Sequence, residues 1–211
     1  MVNRKLKKRI IDLSYKHRLS HIGSSLDAVD IIDEVFQNKY DRLVLSQGHA
    51  ALALYVVLEK YLSHDAEYLY NTHGTHPNRK LKDDIYVSTG SLGHGLPIAL
   101  GMAIAQPQMK IACLISDGEC SEGSIWEALR IKNEQEVNNL DIILNFNGWG
   151  AYKSIDYQTM MNSLAFVAPF QVRVVRTTHD GLPFLAGQKG HYHVMSKADY
   201  ELACNILDDN T

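Results

Sequence analysis

Residues 115–147, ISDGECSEGSIWEALRIKNEQEVNNLDIILNFN, constrain this chain more than any other stretch. An apolar run, Lys110–Ile115, ends in Ser116-Asp117-Gly118. A helical pattern follows, and a second apolar run, Leu140–Leu144, ends at Asn145 and Asn147. Strand, helix and strand in that order read as a βαβ unit, whose two strands pair in parallel. Asp117 and Asn147 lie thirty positions apart, each just past the carboxyl end of a strand. Open α/β sheets bind ligands in the crevice at that end. One carboxylate and one amide oxygen make a hard, oxygen-only site suited to Mg²⁺ held jointly with a diphosphate. Neighbouring glycines allow close backbone approach, and the helix amino end favours an anion. Taken alone, Asp-Gly is also a common turn pair, and an acidic turn in an ordinary βαβ unit explains it equally.

The same alternation extends along the chain and predicts an α/β fold, a mainly parallel sheet with helices on both faces. Helices are expected over 3–17, over Asp27–Gln37 with Ser24 or Ser25 as cap, and over Ala50–Tyr61. Gly93–Ala105 reads as a nearly all-apolar helix covered on every side, Asp156–Val167 as helical, and Lys197–Leu207 as the last helix. Arg42–Leu45, Ile85–Val87 and Gln171–Thr177 read as strands, and the chain turns loop-like after Asp180-Gly181. No repeat or Pro/Gly-rich linker divides residues 1–211, so one domain is expected.

The net charge of −3 creates no global basic field for nucleic acid or an anionic membrane. Arg4, Lys5, Lys7, Lys8 and Arg9 crowd the start, but Leu6, Ile10, Ile11 and Leu13 interleave at helical spacing, which reads as a solvated helix face. No apolar run approaches the roughly 18 residues of a membrane span, and the basic start lacks the apolar core of a secretory signal. Cys113, Cys120 and Cys204 are few, odd in number and without CxxC spacing, as for reduced thiols in a cytoplasmic protein. Cys113 falls in an apolar strand, and a structural role suits Cys120 better than a reactive one. Ten histidines invite a zinc hypothesis, yet none has HExxH spacing and His191/His193 alone are too few.

Several motifs, in order, resemble those of the transketolase family. Asp117-Gly118-Glu119, Glu122-Gly123 and Trp126-Glu127-Ala128, followed by Asn147, resemble its thiamine-diphosphate fingerprint. Ser20-His21-Ile22-Gly23 resembles its Gly-His-x-Gly turn. Leu45-Ser46-Gln47-Gly48-His49-Ala50 resembles Leu-Ser-x-Gly-His-Ala, and His76-Pro77 the His-Pro before the glycine loop. Thr89-Gly90-Ser91-Leu92-Gly93-His94-Gly95 resembles Thr-Gly-x-Leu-Gly-Gln-Gly. The wording is nearest to the N-terminal subunit of split transketolases.

The resemblance implies the thiamine-diphosphate-binding fold and a set of roles. Asp117, Asn147 and the Trp149 carbonyl would hold Mg²⁺, with Ca²⁺ or Mn²⁺ able to substitute. Gly118 and His49 would approach the diphosphate, and Gly90 and Leu92 the aminopyrimidine. His21, His76 and His191 would hydrogen-bond a phosphorylated sugar and move protons, with His193 the competing choice for the last. Glu122 would join a carboxylate relay at a domain interface and also serve the cofactor. His94, where glutamine is usual, would add a proton donor or preserve a hydrogen bond.

Four departures from the pattern stand out: Ser116 for the first glycine of Gly-Asp-Gly; His94; a missing strand and helix before His191; and the absence of the pyrimidine-binding and third domains. The shortened sheet should leave an edge strand to be covered by the tail or a partner. The resemblance therefore implies a transketolase subunit in a homodimer or α₂β₂ assembly with a C-terminal, pyrimidine-binding subunit. The alternatives are a related carboligase subunit, such as a 1-deoxyxylulose-phosphate synthase or a sugar-modifying protein, and a non-catalytic cofactor-binding remnant.

Overall fold

A computed structural model of the chain describes residues 3–150, 152–169, 171–179 and 181–208. Four strands, β1 (Arg42–Leu45), β2 (Ile111–Ser116), β3 (Leu140–Phe146) and β4 (Val172–Arg176), lie side by side in that order, every pair parallel. Parallel neighbours need crossovers, and helices supply them. Before β1 come α1 (Arg4–His17) and α2 (Ile22–Gln37). Between β1 and β2 run α3 (Ala51–Leu62), α4 (Ala66–His73) and α5 (Gly95–Ala105). The β2–β3 connection is α6 (Gly123–Glu134), and the β3–β4 connection is α7 (Tyr157–Val167). The tail holds the short α8 (Lys189–Tyr192) and α9 (Lys197–Asp208).

Side chains alternate across a strand, so each strand feeds two cores. Leu43, Leu45, Ala112, Leu114 and Ile143 pack with buried residues of α1–α4 and α9. Val44, Ile111, Cys113, Ile115, Ile142 and Leu144 pack on the opposite face with α5, α6 and α7. All six residues of β2 are buried, which is why it reads as one apolar run rather than an alternating one. Helices cover both faces, as the alternation predicts.

Details depart from the sequence reading where distant neighbours decide them. Helix α2 begins at Ile22, five residues before Asp27, so Ser24 and Ser25 lie inside it and cap nothing. The N-cap is His21, in left-handed geometry with no side-chain capping bond. Ile85–Val87 makes no strand; Ile85 forms one antiparallel bridge with Lys80. Helix α5 starts at Gly95 and is not covered on every side, since Ile98 and Ile104 remain 42% and 46% exposed. The basic start is not a solvated face throughout: Lys7 is buried with its Nζ 3.0 Å from Asp30, and Arg9 pairs with Glu59 at 2.8 Å. The tail is less loop-like than expected, because α8 follows Gly181; Asp180 lies outside the described residues. At the sheet edge no residue of β4 is fully buried, so the described tail covers this strand only in part.

Candidate functional site

The pairing of β2 with β3 brings the two loop tips together. Ser116 is level with Asn145, and both strands finish at the same end of the sheet. Asp117 is 1% exposed, and its carboxylate stitches the tips to each other. Its Oδ2 accepts from the Asn147 N–H at 3.1 Å and the Gly148 N–H at 2.7 Å, while Oδ1 accepts from the Gly118 N–H at 3.0 Å. Burial pushes the Asp117 carboxyl up to about 6, although those three N–H groups favour the charged form. Asn147 turns its Nδ2 to Asp27 Oδ2, 3.0 Å away, and accepts the Trp149 N–H on Oδ1 at 2.9 Å.

A cleft of about 180 Å³, open to solvent on one side, lies above these tips. Asp117, Gly118, Asn147 and Trp149 line it, together with Gly90, Leu92, His21, His49, His76 and His191. Ten of the twelve sequence-predicted site residues therefore share one cavity. The other two, His94 and Glu122, are exposed outside it at the amino ends of α5 and α6. His193 does not line the cavity either: its Nε2 lies 3.0 Å from Asp199 and its ring centroid 5.4 Å from that of Phe184, tilted by 40°. Of the two tail histidines, His191 is the one that faces the cleft.

The imidazoles gather from four segments. The His21 ring centroid is 5.4 Å from His49, 6.2 Å from His191 and 6.5 Å from His76. Burial first, and the neighbouring imidazoles second, lower His21 to about 4 and His49 to about 3. Burial also lowers His191, opposed by its hydrogen bond to the Trp149 backbone carbonyl. That carbonyl, expected as a metal ligand, is thus shared with an imidazole. Ser24 Oγ is 3.1 Å from His191 Nδ1. At neutral pH His21, His49 and His191 are uncharged, each able to donate from one nitrogen and accept at the other.

The loops are locked against each other by close backbone packing. A Cβ on Gly48 would lie 2.7 Å from the Gly90 nitrogen and the Thr89 carbonyl carbon. Gly90 has φ +145° and packs on the His76 ring. Beneath them sits Glu119, fully buried. Its Oε1 accepts from Ser46 Oγ at 2.6 Å and the Gly93 N–H at 3.0 Å; its Oε2 accepts from the Ser116 N–H at 3.0 Å. The Ser116 hydroxyl, the departure beside Asp117, also accepts from the Glu119 N–H at 3.3 Å. Sequence reasoning marks Glu119 only as part of a motif and gives Asp27 no role. Adjacency to Asp117 is the one signal available for Glu119, and Asp27 has none.

The donor set fits an anionic cofactor held with a hard cation. Gln47 Nε2 and His21 Nδ1, on residues that line the cleft, are buried with no hydrogen-bond partner among the described residues. Among the described residues no three His, Cys, Asp or Glu side chains gather as a metal site. A cation at Asp117 and Asn147 would therefore complete its shell with carbonyl, phosphate or water oxygens, the habit of Mg²⁺.

Comparisons with known proteins identify the family and the fold. The family model described as 1-deoxy-D-xylulose-5-phosphate synthase matches residues 1–194. The chain is 33% identical over 165 residues to one of the named subunits of apulose-4-phosphate transketolase from Phocaeicola vulgatus, covering 68% of this chain and 58% of that protein. It is 27% identical to the like-named subunit from Actinobacillus succinogenes, covering 90% and 88%. Against human transketolase it is 37% identical, covering 58% of this chain and 21% of that protein. Transketolase from Campylobacter jejuni superposes with a TM-score of 0.75 at 21% identity, over 96% of this chain and 41% of that one, a likeness of fold. The chain thus spans little more than half of the first of these relatives and about a fifth of the full-length human enzyme.

Proposed function

The chain belongs to the transketolase family of thiamine-diphosphate enzymes, and from that premise we propose that it is the N-terminal subunit of a split transketolase. The reaction is transfer of a two-carbon ketol unit between sugar phosphates. The observation that carries the reading is the meeting of Asp117 and Asn147 in one cleft with four histidines.

Thiamine diphosphate, when bound, supplies the electron sink for breaking the bond beside a ketose carbonyl. Asp117 and Asn147, with the Trp149 carbonyl, would hold Mg²⁺, whose charge would offset that of the phosphate oxygens. His49 and Gly118 would hold the diphosphate, and the backbone at Gly90 and Leu92 the aminopyrimidine. His21, His76 and His191 bind sugar hydroxyls. His21 and His191, kept neutral by burial, take and return protons at their ring nitrogens without a charge to unload first.

Residues 1–211 form one diphosphate-binding domain, which pairs with itself as a homodimer or, with a partner carrying the pyrimidine-binding domain that completes the site, in an α₂β₂ assembly. Both apulose-4-phosphate transketolase relatives are named as single subunits of their enzymes, which supports this. So does the exposure of Glu122 and His94, which suits a contact with that partner. Among the described residues no helix is long and apolar enough to cross a membrane, and Cys113, Cys120 and Cys204 are free, in keeping with a cytoplasmic protein. The family-model description favours a second reading, a carboligase of the 1-deoxyxylulose-phosphate synthase type.

Calorimetry of the full chain with thiamine diphosphate and Mg²⁺ tests the site. Wild type should bind only with the metal present, and Asp117→Ala should lose that binding because the diphosphate charge is left uncompensated. Equal affinity in both proteins refutes the assignment. Ketol transfer that arises only on mixing with a pyrimidine-domain subunit supports the split enzyme.

A further inference from the structure

We propose that Asp27 is a positioning residue for the cation site: it fixes the Asn147 amide so that the oxygen, rather than the nitrogen, is available to a metal ion. The proposal rests on the reading of Asp117 and Asn147 given above and adds a residue that no motif marks. An amide's two ends are nearly equal in size, so shape alone leaves Asn147 free to turn either way. Asp27 removes that freedom. Its carboxylate offers acceptors, and Oδ2 takes the Asn147 Nδ2 hydrogen at 3.0 Å. The Trp149 N–H, donated to Asn147 Oδ1 at 2.9 Å, imposes the same orientation independently and leaves that oxygen a second lone pair.

Asp27 is itself enclosed. It is 2% exposed on α2, and His179 Nδ1, from the loop after β4, lies 3.1 Å from the same Oδ2. Space for that imidazole is built in by two glycines from different helices. A Cβ on Gly23 would come within 2.9 Å of His179 Cε1, and one on Gly190 within 2.7 Å of His179 Nε2. Gly190 precedes His191, so one cluster ties the cation loop to the segment carrying a cleft histidine. Partners that orient a metal ligand in this way commonly matter for affinity as much as geometry does.

The test is Mg²⁺-dependent thiamine diphosphate binding to the full chain, read by calorimetry and by intrinsic tryptophan fluorescence, with no turnover needed. Asp27→Ala should weaken affinity about 10–100-fold, the usual cost of losing such a partner. Asn147→Asp should also bind poorly, because two carboxylates then face each other. The double variant Asp27→Asn with Asn147→Asp swaps donor and acceptor, and should recover affinity to within about tenfold of wild type. It has nearly the same atoms as wild type, so it reports on orientation even if Asp27→Ala folds badly. Wild-type affinity in Asp27→Ala, or a double variant as weak as Asn147→Asp alone, overturns the proposal. If Asp117→Ala loses binding while Asp27→Ala keeps it, this inference falls and the site stands; if Asp117→Ala also binds normally, both fall.

Discussion

Replacing Glu119 with glutamine changes one atom and tests how the loops of the cleft are held together. The carboxylate accepts a backbone N–H on each oxygen, Gly93 on Oε1 and Ser116 on Oε2, with the Ser46 hydroxyl on Oε1 as well. A glutamine amide has one oxygen. Whichever way it turns, its NH₂ faces either the Gly93 or the Ser116 N–H; the serine hydroxyls reorient and accept, but the backbone donor does not. One buried N–H left unpaired costs about 1–3 kcal/mol. The loss is partly offset because glutamine carries no charge to bury, the same burial that pushes the Glu119 carboxyl upward. The expected net destabilisation of Glu119→Gln is about 1–2 kcal/mol, a fall in Tm of about 2–8 °C for a chain of this size. Urea unfolding followed by circular dichroism measures the first. Hydrogen exchange should show faster opening at one of the Gly93 and Ser116 amides, not both. Glu119→Ala, which strips acceptors from both and leaves a void, should cost about 3–5 kcal/mol. Glu119→Gln with wild-type stability and unchanged exchange at both amides would refute the reasoning.

Gly48→Ala should destabilise by about 1–3 kcal/mol and weaken cofactor binding, because its methyl would meet backbone at 2.7 Å, whereas Gly101→Ala, on an exposed stretch of α5 with nothing near, should stabilise by about 0.5–1 kcal/mol; thermal melts of both variants decide. His21 is lowered to about 4, so its contribution to the cofactor-free fold is complete above pH 6.5 and is lost as pH falls through that window toward 4, by up to about 3 kcal/mol. Asp117, raised to about 6, pulls the other way over part of the window, so the histidine effect is the difference between the wild-type and His21→Asn stability profiles, and parallel profiles would refute it. With a partner present, His191→Ala should slow turnover while leaving cofactor affinity near normal; a larger turnover loss in His193→Ala would move the role to that residue.

The βαβ unit, the parallel sheet and the meeting of Asp117 with Asn147 were legible in the amino-acid order. They depend on apolar runs and on connections of the right length, both local properties. The histidines of the cleft were legible through motif resemblance, since spacing alone does not bring residues 21, 49, 76 and 191 together. Tertiary structure decided the rest. The start of α2, the failure of Ile85–Val87 to become a strand and the exposed face of α5 each turn on what packs there. His191 rather than His193 faces the cleft because α8 docks on α2, with the His21 N–H donated to the His191 carbonyl at 2.8 Å. Asp27 carries no signal that sets it apart from other acidic residues in helices, and Glu119 only its place two positions after Asp117 in the motif. Their significance comes from burial and from donors as distant as Asn147 and Ser46. Which buried carboxylate meets which N–H is settled only when segments far apart in the chain are packed against one another.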